Sequence, residues 1–142
     1  MIYWKEEYSC FDLEIDTQHK KLIELLKSME EIVELQDGYD HYDEIVSVFN
    51  ELKNYTVYHF SYEEKLFEKY QYDPISTKLH KLEHKSFINK VSEINFDDID
   101  RDQIKSVKNI LEFVEKWIDQ HILSTDIKFG DHLSKNSKSL IP

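Results

Sequence analysis

The chain has 142 residues, a net charge of −11 and one cysteine, and these values exclude several classes of protein. A chain of this length can form one hydrophobic core without a disulfide or a partner, so we expect a single domain over residues 1–142. An acidic chain with scattered lysine and arginine argues against nucleic acid or an anionic membrane as a partner. Charged residues interrupt any secretory signal, no apolar run could span a membrane, and Cys10 has no second cysteine, so we expect a cytoplasmic protein.

The apolar periodicity predicts an all-α protein with four helices. Only two glycines and two prolines occur, which suits long helices joined by few turns. An N-terminal arm over residues 1–16 precedes the helices, and a short polar tail follows them. Asp16 is the expected N-cap of the first helix, Gly38 follows its end, and Pro74 stops the second helix. The four predicted helices cover residues 17–37, 41–70, 75–94 and 101–125.

Each predicted helix directs at least one histidine towards the core. These histidines continue apolar stripes whose members are three and four residues apart, which is the spacing of one helix face. A carboxylate shares the stripe of the second helix, because Glu63 lies one turn after His59. The core-facing histidines are His19, His59, His80, His84 and His121.

The number of these histidines matters more than any one of them. A lone histidine on an apolar face is normally a core residue with one hydrogen bond. Five imidazoles and a carboxylate without partners would cost several kcal/mol, a large part of a typical net stability of about 5–15 kcal/mol. Neutral imidazole nitrogens and carboxylate oxygens are ligands of first-row metals, so a metal centre would satisfy all of them together.

The spacing of the candidate ligands narrows the kind of metal site. His59 and Glu63, like His80 and His84, lie about 6 Å apart on one helix face. These pairs and the remaining two histidines exceed the needs of one metal. A lysine follows His80 where zinc proteases have glutamate, and the Glu-x-x-His pair of ferritin-like diiron proteins does not occur. The spacing therefore predicts a histidine-rich dinuclear centre of another kind.

Four fragments in chain order resemble the hemerythrin and bacteriohemerythrin family, and the resemblance runs from Trp4 to about Phe129. The resemblance implies an up-down-up-down antiparallel four-helix bundle with the N-terminal arm packed on it. The fragments are Trp4-x-x-x-Tyr8-Ser9 with Ile15-Asp16-x-Gln18-His19-Lys20, His59-Phe60-x-x-Glu63-Glu64, Tyr72-Asp73-Pro74 with His80-x-x-x-His84-x-x-Phe87, and Trp117-x-x-x-His121-Ile122-x-x-x-Asp126-x-x-Phe129.

The family resemblance also implies a role for each of seven residues at two irons joined by an oxo or hydroxo bridge. Asp126 would not have been selected by periodicity, because it lies about 140° from His121 around an ideal helix. The fourth helix must therefore end, tighten or bulge there. We expect His41 and His132 to be uncoordinated surface residues. The implied ligands are His80, His84 and His121 on one iron, His19 and His59 on the other, and Glu63 and Asp126 as bridges.

By the same resemblance, the iron with two histidines keeps one open position that binds dioxygen reversibly. We expect a dry apolar pocket beside it, formed by Leu22, Phe60, Trp117, Ile118 and Ile122. A non-enzymatic protein for dioxygen carriage, storage or sensing is favoured over two alternatives. These are a diiron enzyme acting on peroxide, dioxygen or nitric oxide, and an iron- or oxygen-responsive interaction module. A redox partner and the choice between monomer and homo-oligomer stay open.

Overall fold

Four helices that pack side by side make up the fold, and a short arm precedes them. The computed structural model describes residues 2–35, 37–94 and 103–139, and this part of the chain contains no strand. The all-α four-helix bundle expected from the sequence is confirmed. Its elements are a 3₁₀ turn at Glu6–Tyr8, α1 at Leu13–Glu34, α2 at Tyr42–Lys69, α3 at Pro74–Ser92, α4 at Gln103–His121, a π-helical segment at Ile122–Asp126 and α5 at Ile127–Ser139.

The first helix begins earlier than expected. Asp12, not Asp16, is its N-cap, and the Asp12 carboxylate accepts a hydrogen bond from the Ile15 backbone N–H at 2.9 Å. Asp16 instead lies within the first turn and fastens the arm, since its carboxylate accepts from the Ser9 hydroxyl at 2.7 Å and the Cys10 N–H at 2.8 Å. The arm therefore ends at residue 12 instead of 16. The helix also stops at Glu34, before the predicted end at residue 37.

The next two helices follow the sequence closely. The observed bounds of α2 are one residue inside the predicted 41–70 at each end. Asp73 caps α3 by accepting from the Ser76 N–H at 2.9 Å, and Pro74 lies in the first turn, where its missing N–H costs no hydrogen bond. α3 ends at Ser92, two residues before the predicted end.

The structure differs from the prediction after the fourth predicted helix. The predicted start at residue 101 lies outside the described residues, but the end at residue 125 and the polar tail are wrong. His121 and Ile127, which flank the π-helical segment, both have right-handed helical backbone angles, so α4 continues through that segment into α5. Phe129 and Leu133, one turn apart on α5, are 0% and 4% exposed. Their burial explains why the helix persists in a polar segment.

The N-terminal arm packs on the outside of the last helices. The Tyr8 hydroxyl donates a hydrogen bond to Asp119 of α4 at 2.5 Å. Cys10 is fully buried and lies against Gly130 of α5, where a Cβ atom would be 2.8 Å from the Cys10 Cα. The close approach is possible because Gly130 has no side chain. The arm thereby holds α5 and α4 to the start of α1.

Candidate metal centre

The seven residues expected as metal ligands all point into the middle of the bundle. They come from α1, α2, α3, α4 and the π-helical segment, and none is more than 4% exposed. They are His19 on α1, His59 and Glu63 on α2, His80 and His84 on α3, His121 on α4, and Asp126 in the π-helical segment.

Their ligand atoms form two groups that overlap. Within each group, one ligand atom per residue lies within 4.8 Å of every other. The three-histidine group contains His80, His84 and His121, and the two-histidine group contains His19 and His59. Glu63 and Asp126 belong to both groups, so each carboxylate lies between two clusters of imidazoles.

The π-helical segment brings Asp126 into the centre. An α-helix would turn residue 126 about 140° away from His121. In the structure, the Ile127 N–H bonds to the Ile122 carbonyl five residues earlier, which is the wider π pattern. The wider turn returns Asp126 to the face of His121, and the two side chains approach to 3.1 Å between His121 Nε2 and Asp126 Oδ1. The expected departure from an ideal helix is present.

Short contacts connect imidazole nitrogens to the two shared carboxylates. The Nε2 atom of His19 lies 3.0 Å from Asp126 Oδ2, that of His80 lies 2.9 Å from Asp126 Oδ1, and that of His59 lies 2.9 Å from Glu63 Oε1. These contacts are close but not aligned as hydrogen bonds, and all four carboxylate oxygens are buried without a hydrogen-bond donor. Both nitrogens of His84 are likewise buried without one.

The imidazole nitrogens and carboxylate oxygens of this cluster direct their buried lone pairs towards one another. A metal cation between them would accept these lone pairs. Uncompensated burial of such groups is costly, whereas a cation placed among them accepts several lone pairs at once. Nitrogen and carboxylate oxygen are the donor types that iron and zinc take. The residues present therefore fit a metal centre, and the cluster could hold a metal.

The titration behaviour of two imidazoles also suits metal binding. Burial lowers the pKa of His59 and the pKa of His84 to about 4, so both rings are neutral at neutral pH. Neutral imidazole is the form that binds a metal. Burial, and then the charge of Asp126, raises the pKa of Glu63 to about 8. Glu63 and Asp126 are both buried and lie close together, so both carboxylates can be ionised only if positive charge lies between them.

Three polar side chains lie beside the Nδ1 atoms of ligand histidines, and the sequence interpretation did not place them there. Gln18 Oε1 accepts a hydrogen bond from His59 Nδ1 at 2.7 Å. Glu83 lies 3.4 Å from His121 Nδ1, and Glu64 lies 3.9 Å from His84 Nδ1. Gln18 and Glu64 belong to the recognised fragments, but only their distances to the rings reveal what they contact.

The two remaining histidines lie away from both ligand groups. His41 lies between Asp37 and Glu44 at the start of α2, at 2.8 Å and 2.9 Å from their carboxylates. His132 was expected in a surface tail, but it is half-buried on α5, and its Nε2 lies 2.8 Å from the Tyr70 carbonyl oxygen. The helical continuation described above accounts for this difference.

A small cavity adjoins the two-histidine group. It leaves about 10 Å³ for the centre of a water-sized molecule, which is close to the least that one such molecule requires. Its wall includes both histidines of the two-histidine group, and of the three-histidine group it includes His121 but neither His80 nor His84. The five residues expected to form an apolar pocket all line it: Leu22, Phe60, Trp117, Ile118 and Ile122.

Thr56 and Phe87 also line the cavity, and the sequence interpretation did not include them. Both lie on the predicted core-facing stripes of their helices. Periodicity gives the face on which a residue lies but not its depth along the bundle, so it could not assign them to the cavity.

The family described as "Hemerythrin HHE cation binding domain" matches residues 12–133. The chain belongs to the hemerythrin family. This result confirms the family resemblance of the four sequence fragments, and the matched range contains every residue of both ligand groups.

Several hemerythrin relatives are similar over most of their length. A bacteriohemerythrin of Clostridium acetobutylicum is 40% identical over 131 residues, which cover 92% of this chain and 100% of the relative. A bacteriohemerythrin of Pseudomonas aeruginosa is 28% identical and covers 99% of this chain and 86% of its own. A hemerythrin-like protein of Naegleria gruberi is 26% identical over 127 residues, 89% of this chain and 88% of the relative. None of the described helices combines the length and apolar character of a membrane span.

Proposed function

We propose that this hemerythrin-type protein holds two irons and binds one dioxygen molecule reversibly beside the two-histidine group. His80, His84 and His121 would hold one iron, and His19 and His59 the other. Glu63 and Asp126 would bridge them. A reduced pair of irons supplies the two electrons that dioxygen accepts on binding and returns on release.

The observation that carries this proposal is the position of the cavity. The group with three histidines has five ligand residues, whereas the group with two histidines has four and adjoins the cavity. If each iron has about six positions, the open one belongs to the group with fewer protein ligands. Both histidines of that group line the cavity, against one of the three in the other group, so the cavity offers space for a small ligand at that position.

The apolar wall of the cavity supports reversible binding over turnover. Leu22, Ile118 and Ile122 are at most 4% exposed, and they exclude water that would promote loss of the bound ligand. Among the described residues of the wall, Thr56 is the one polar side chain outside the ligand set. Its hydroxyl donates to the Leu52 carbonyl at 2.7 Å, so it is already engaged and is poorly placed to supply a proton to a substrate.

The polar partners of the histidines keep the site in one geometry. Gln18 accepts the Nδ1 proton of His59, so the Nε2 lone pair of that ring faces the carboxylates. The Glu83 carboxylate lies 3.4 Å from Nδ1 of His121, and it accepts a hydrogen bond from the Thr125 hydroxyl at 2.9 Å. Such outer contacts fix ring orientation and so favour metal binding without rearrangement.

The test is reduction under anaerobic conditions followed by titration with dioxygen, observed by optical spectroscopy. We expect oxygen-dependent bands that disappear when the gas is removed and return when it is restored. Bands that never reverse, or continued oxygen consumption with an electron donor, would contradict reversible binding and favour an enzyme.

A matched pair of histidine variants tests the ligand assignment. His84→Ala should lose the iron of the three-histidine group, because the neighbouring Lys81 and Lys85 cannot replace an imidazole. His132→Ala removes a histidine that lies outside both groups and should keep the iron content of the parent protein. Iron analysis of both purified proteins decides the point, and equal iron contents would overturn the assignment.

A further inference from the structure

A surface groove lies between α2 and α3, directly outside the cavity described above. Its volume is about 240 Å³. Exposed and half-buried side chains from both helices form most of its wall, and the buried rings of Phe60 and His84 form its floor. The outer wall consists of Val57, Ser61, Glu64, Lys81, Lys85 and Ile88.

Phe60 separates this groove from the internal cavity. Among the described residues, it alone lines both spaces. On the groove side its ring stacks on His84, with the ring centroids 3.7 Å apart and the planes 7° from parallel. On the cavity side its nearest ring neighbours are Trp117, His59 and Phe87, at 5.8 Å, 5.9 Å and 6.0 Å. Displacement of one aromatic ring would therefore connect the groove to the cavity.

The other parts of the cavity wall offer a less direct path. Apart from Trp117, every residue of the wall is at most 4% exposed. Trp117 is half-buried, but its indole stacks on both Phe87 and His121 with centroid distances of 4.3 Å. The Phe60 ring has one close parallel partner, His84, and its other ring neighbours are tilted or edge-on at 5.8–6.2 Å. Because the smaller ring has fewer close stacking contacts, we expect Phe60 to move aside more readily than Trp117.

We propose that small uncharged molecules enter the cavity from the α2–α3 groove and that Phe60 is the gate they pass. The proposal rests on the proposed function only in naming dioxygen as the molecule that uses the path. An apolar gate admits a diatomic gas readily, because the gas loses little hydration on passing. Ions and water lose hydrogen bonds on the same path and are held back.

A gate differs from a binding residue in its effect on rates. It changes entry and exit by the same factor and leaves the affinity unchanged. In the iron-loaded protein, Phe60→Leu should raise both the association and the dissociation rate of dioxygen about tenfold, which corresponds to about 1.4 kcal/mol of barrier. Phe87→Leu is the matched control, because Phe87 lines the cavity but not the groove. Stopped-flow measurement of both rates makes the comparison.

Two results would overturn the gate in that experiment. One is an altered affinity for Phe60→Leu with an unchanged association rate, which would make Phe60 a contact of the bound ligand only. The other is equal acceleration by Phe60→Leu and Phe87→Leu, which would mean that any enlargement of the cavity speeds entry.

A second measurement works without iron chemistry and so separates the gate from the proposed function. In zinc-loaded protein with Trp4→Phe, Trp117 is the remaining indole, and dissolved oxygen quenches its phosphorescence at a rate set by gas arrival. Phe60→Leu should increase this quenching rate, and Ser61→Phe, which fills the outer groove without adding an indole, should decrease it. This pattern would support the gate even if reversible binding at iron fails. Equal quenching in all three proteins would overturn it and indicate entry past the exposed edge of Trp117.

Discussion

Gln18 illustrates how one neutral side chain can determine the chemistry of a buried histidine. Its amide oxygen can only accept, so the proton of His59 must be on Nδ1, at 2.7 Å. Its amide nitrogen donates to Glu14 at 3.0 Å, which prevents the amide from turning over. The orientation of the His59 ring and the availability of its Nε2 lone pair both follow from this chain of two hydrogen bonds.

Replacing Gln18 by leucine should weaken metal binding without removing a ligand. The variant keeps a similar volume but leaves the buried Nδ1–H of His59 without an acceptor. We expect metal affinity to fall about 10- to 100-fold, as is typical when an outer partner of a ligating histidine is lost. Competition with a chelator of known affinity measures the change. Gln120→Leu, on the exposed face of α4, is the control, and equal affinities of the two variants would show that Gln18 does not orient His59.

At the level of whole elements, the last helix shows what the sequence could and could not predict. The family resemblance implied that Asp126 is a ligand, and its spacing from His121 then required a departure from an ideal helix; the structure has a π-helical segment there. The continuation into α5 was missed because lysine, asparagine and serine dominate that segment. Phe129 and Leu133, one turn apart, were the available signal, but two apolar residues do not establish a periodic stripe.

The start of the first helix was misplaced for a different reason. Asp12 and Asp16 are both good N-caps by residue type, and they are one helical turn apart. The choice between them depends on Ser9 and Cys10, whose hydrogen bonds to Asp16 exist only when the arm folds back. Such a contact between separate segments leaves no periodic trace in the sequence. The faces of the helices and the core histidines, by contrast, follow from local spacing alone.

The junction of the arm with α5 predicts an unusual effect of a helix-favouring substitution. Gly130→Ala should destabilise the protein, although alanine is favoured over glycine in a helix by about 1 kcal/mol. The new Cβ would lie 2.8 Å from the Cα and the carbonyl carbon of Cys10 and closer still to its carbonyl oxygen, so the arm must move. We expect a net loss of about 1–3 kcal/mol, which is the usual cost of overpacking a tight contact.

Two measurements check the Gly130→Ala prediction. Urea unfolding gives the change in stability, and the reaction rate of Cys10 with a thiol reagent reports the position of the arm, because Cys10 is fully buried in the parent protein. Lys135→Ala on the exposed side of α5 is the control and should change neither. An unchanged Cys10 reaction rate in Gly130→Ala would show that the arm does not depend on this contact.

In the molecule as a whole, the candidate metal centre brings together elements that otherwise meet mainly through apolar packing. Each of the four helices α1 to α4 contributes at least one ligand residue, and the two carboxylates belong to both ligand groups. A metal bound here would therefore link α1, α2, α3 and α4 to one another. The same residues are a weakness of the metal-free bundle, because all four carboxylate oxygens and both nitrogens of His19 and His84 are buried without hydrogen-bond partners.

Removing the metal should therefore destabilise the bundle more than removing one large core side chain. A site whose free metal stands at about 1,000 times its Kd adds about 4 kcal/mol to the free energy of unfolding, and two such sites add twice that. Truncation of a buried leucine costs about 2–5 kcal/mol. Leu26, which is 0% exposed, provides the comparison as Leu26→Ala in the metal-loaded protein. Urea unfolding of the metal-loaded parent, the chelated parent and this variant should rank the chelated parent as the least stable.

The loss should also extend over the middle of all four helices, which amide hydrogen exchange would detect as a common fall in protection. Equal stability of the loaded and chelated proteins at neutral pH would mean that the buried histidines and carboxylates satisfy one another without a cation.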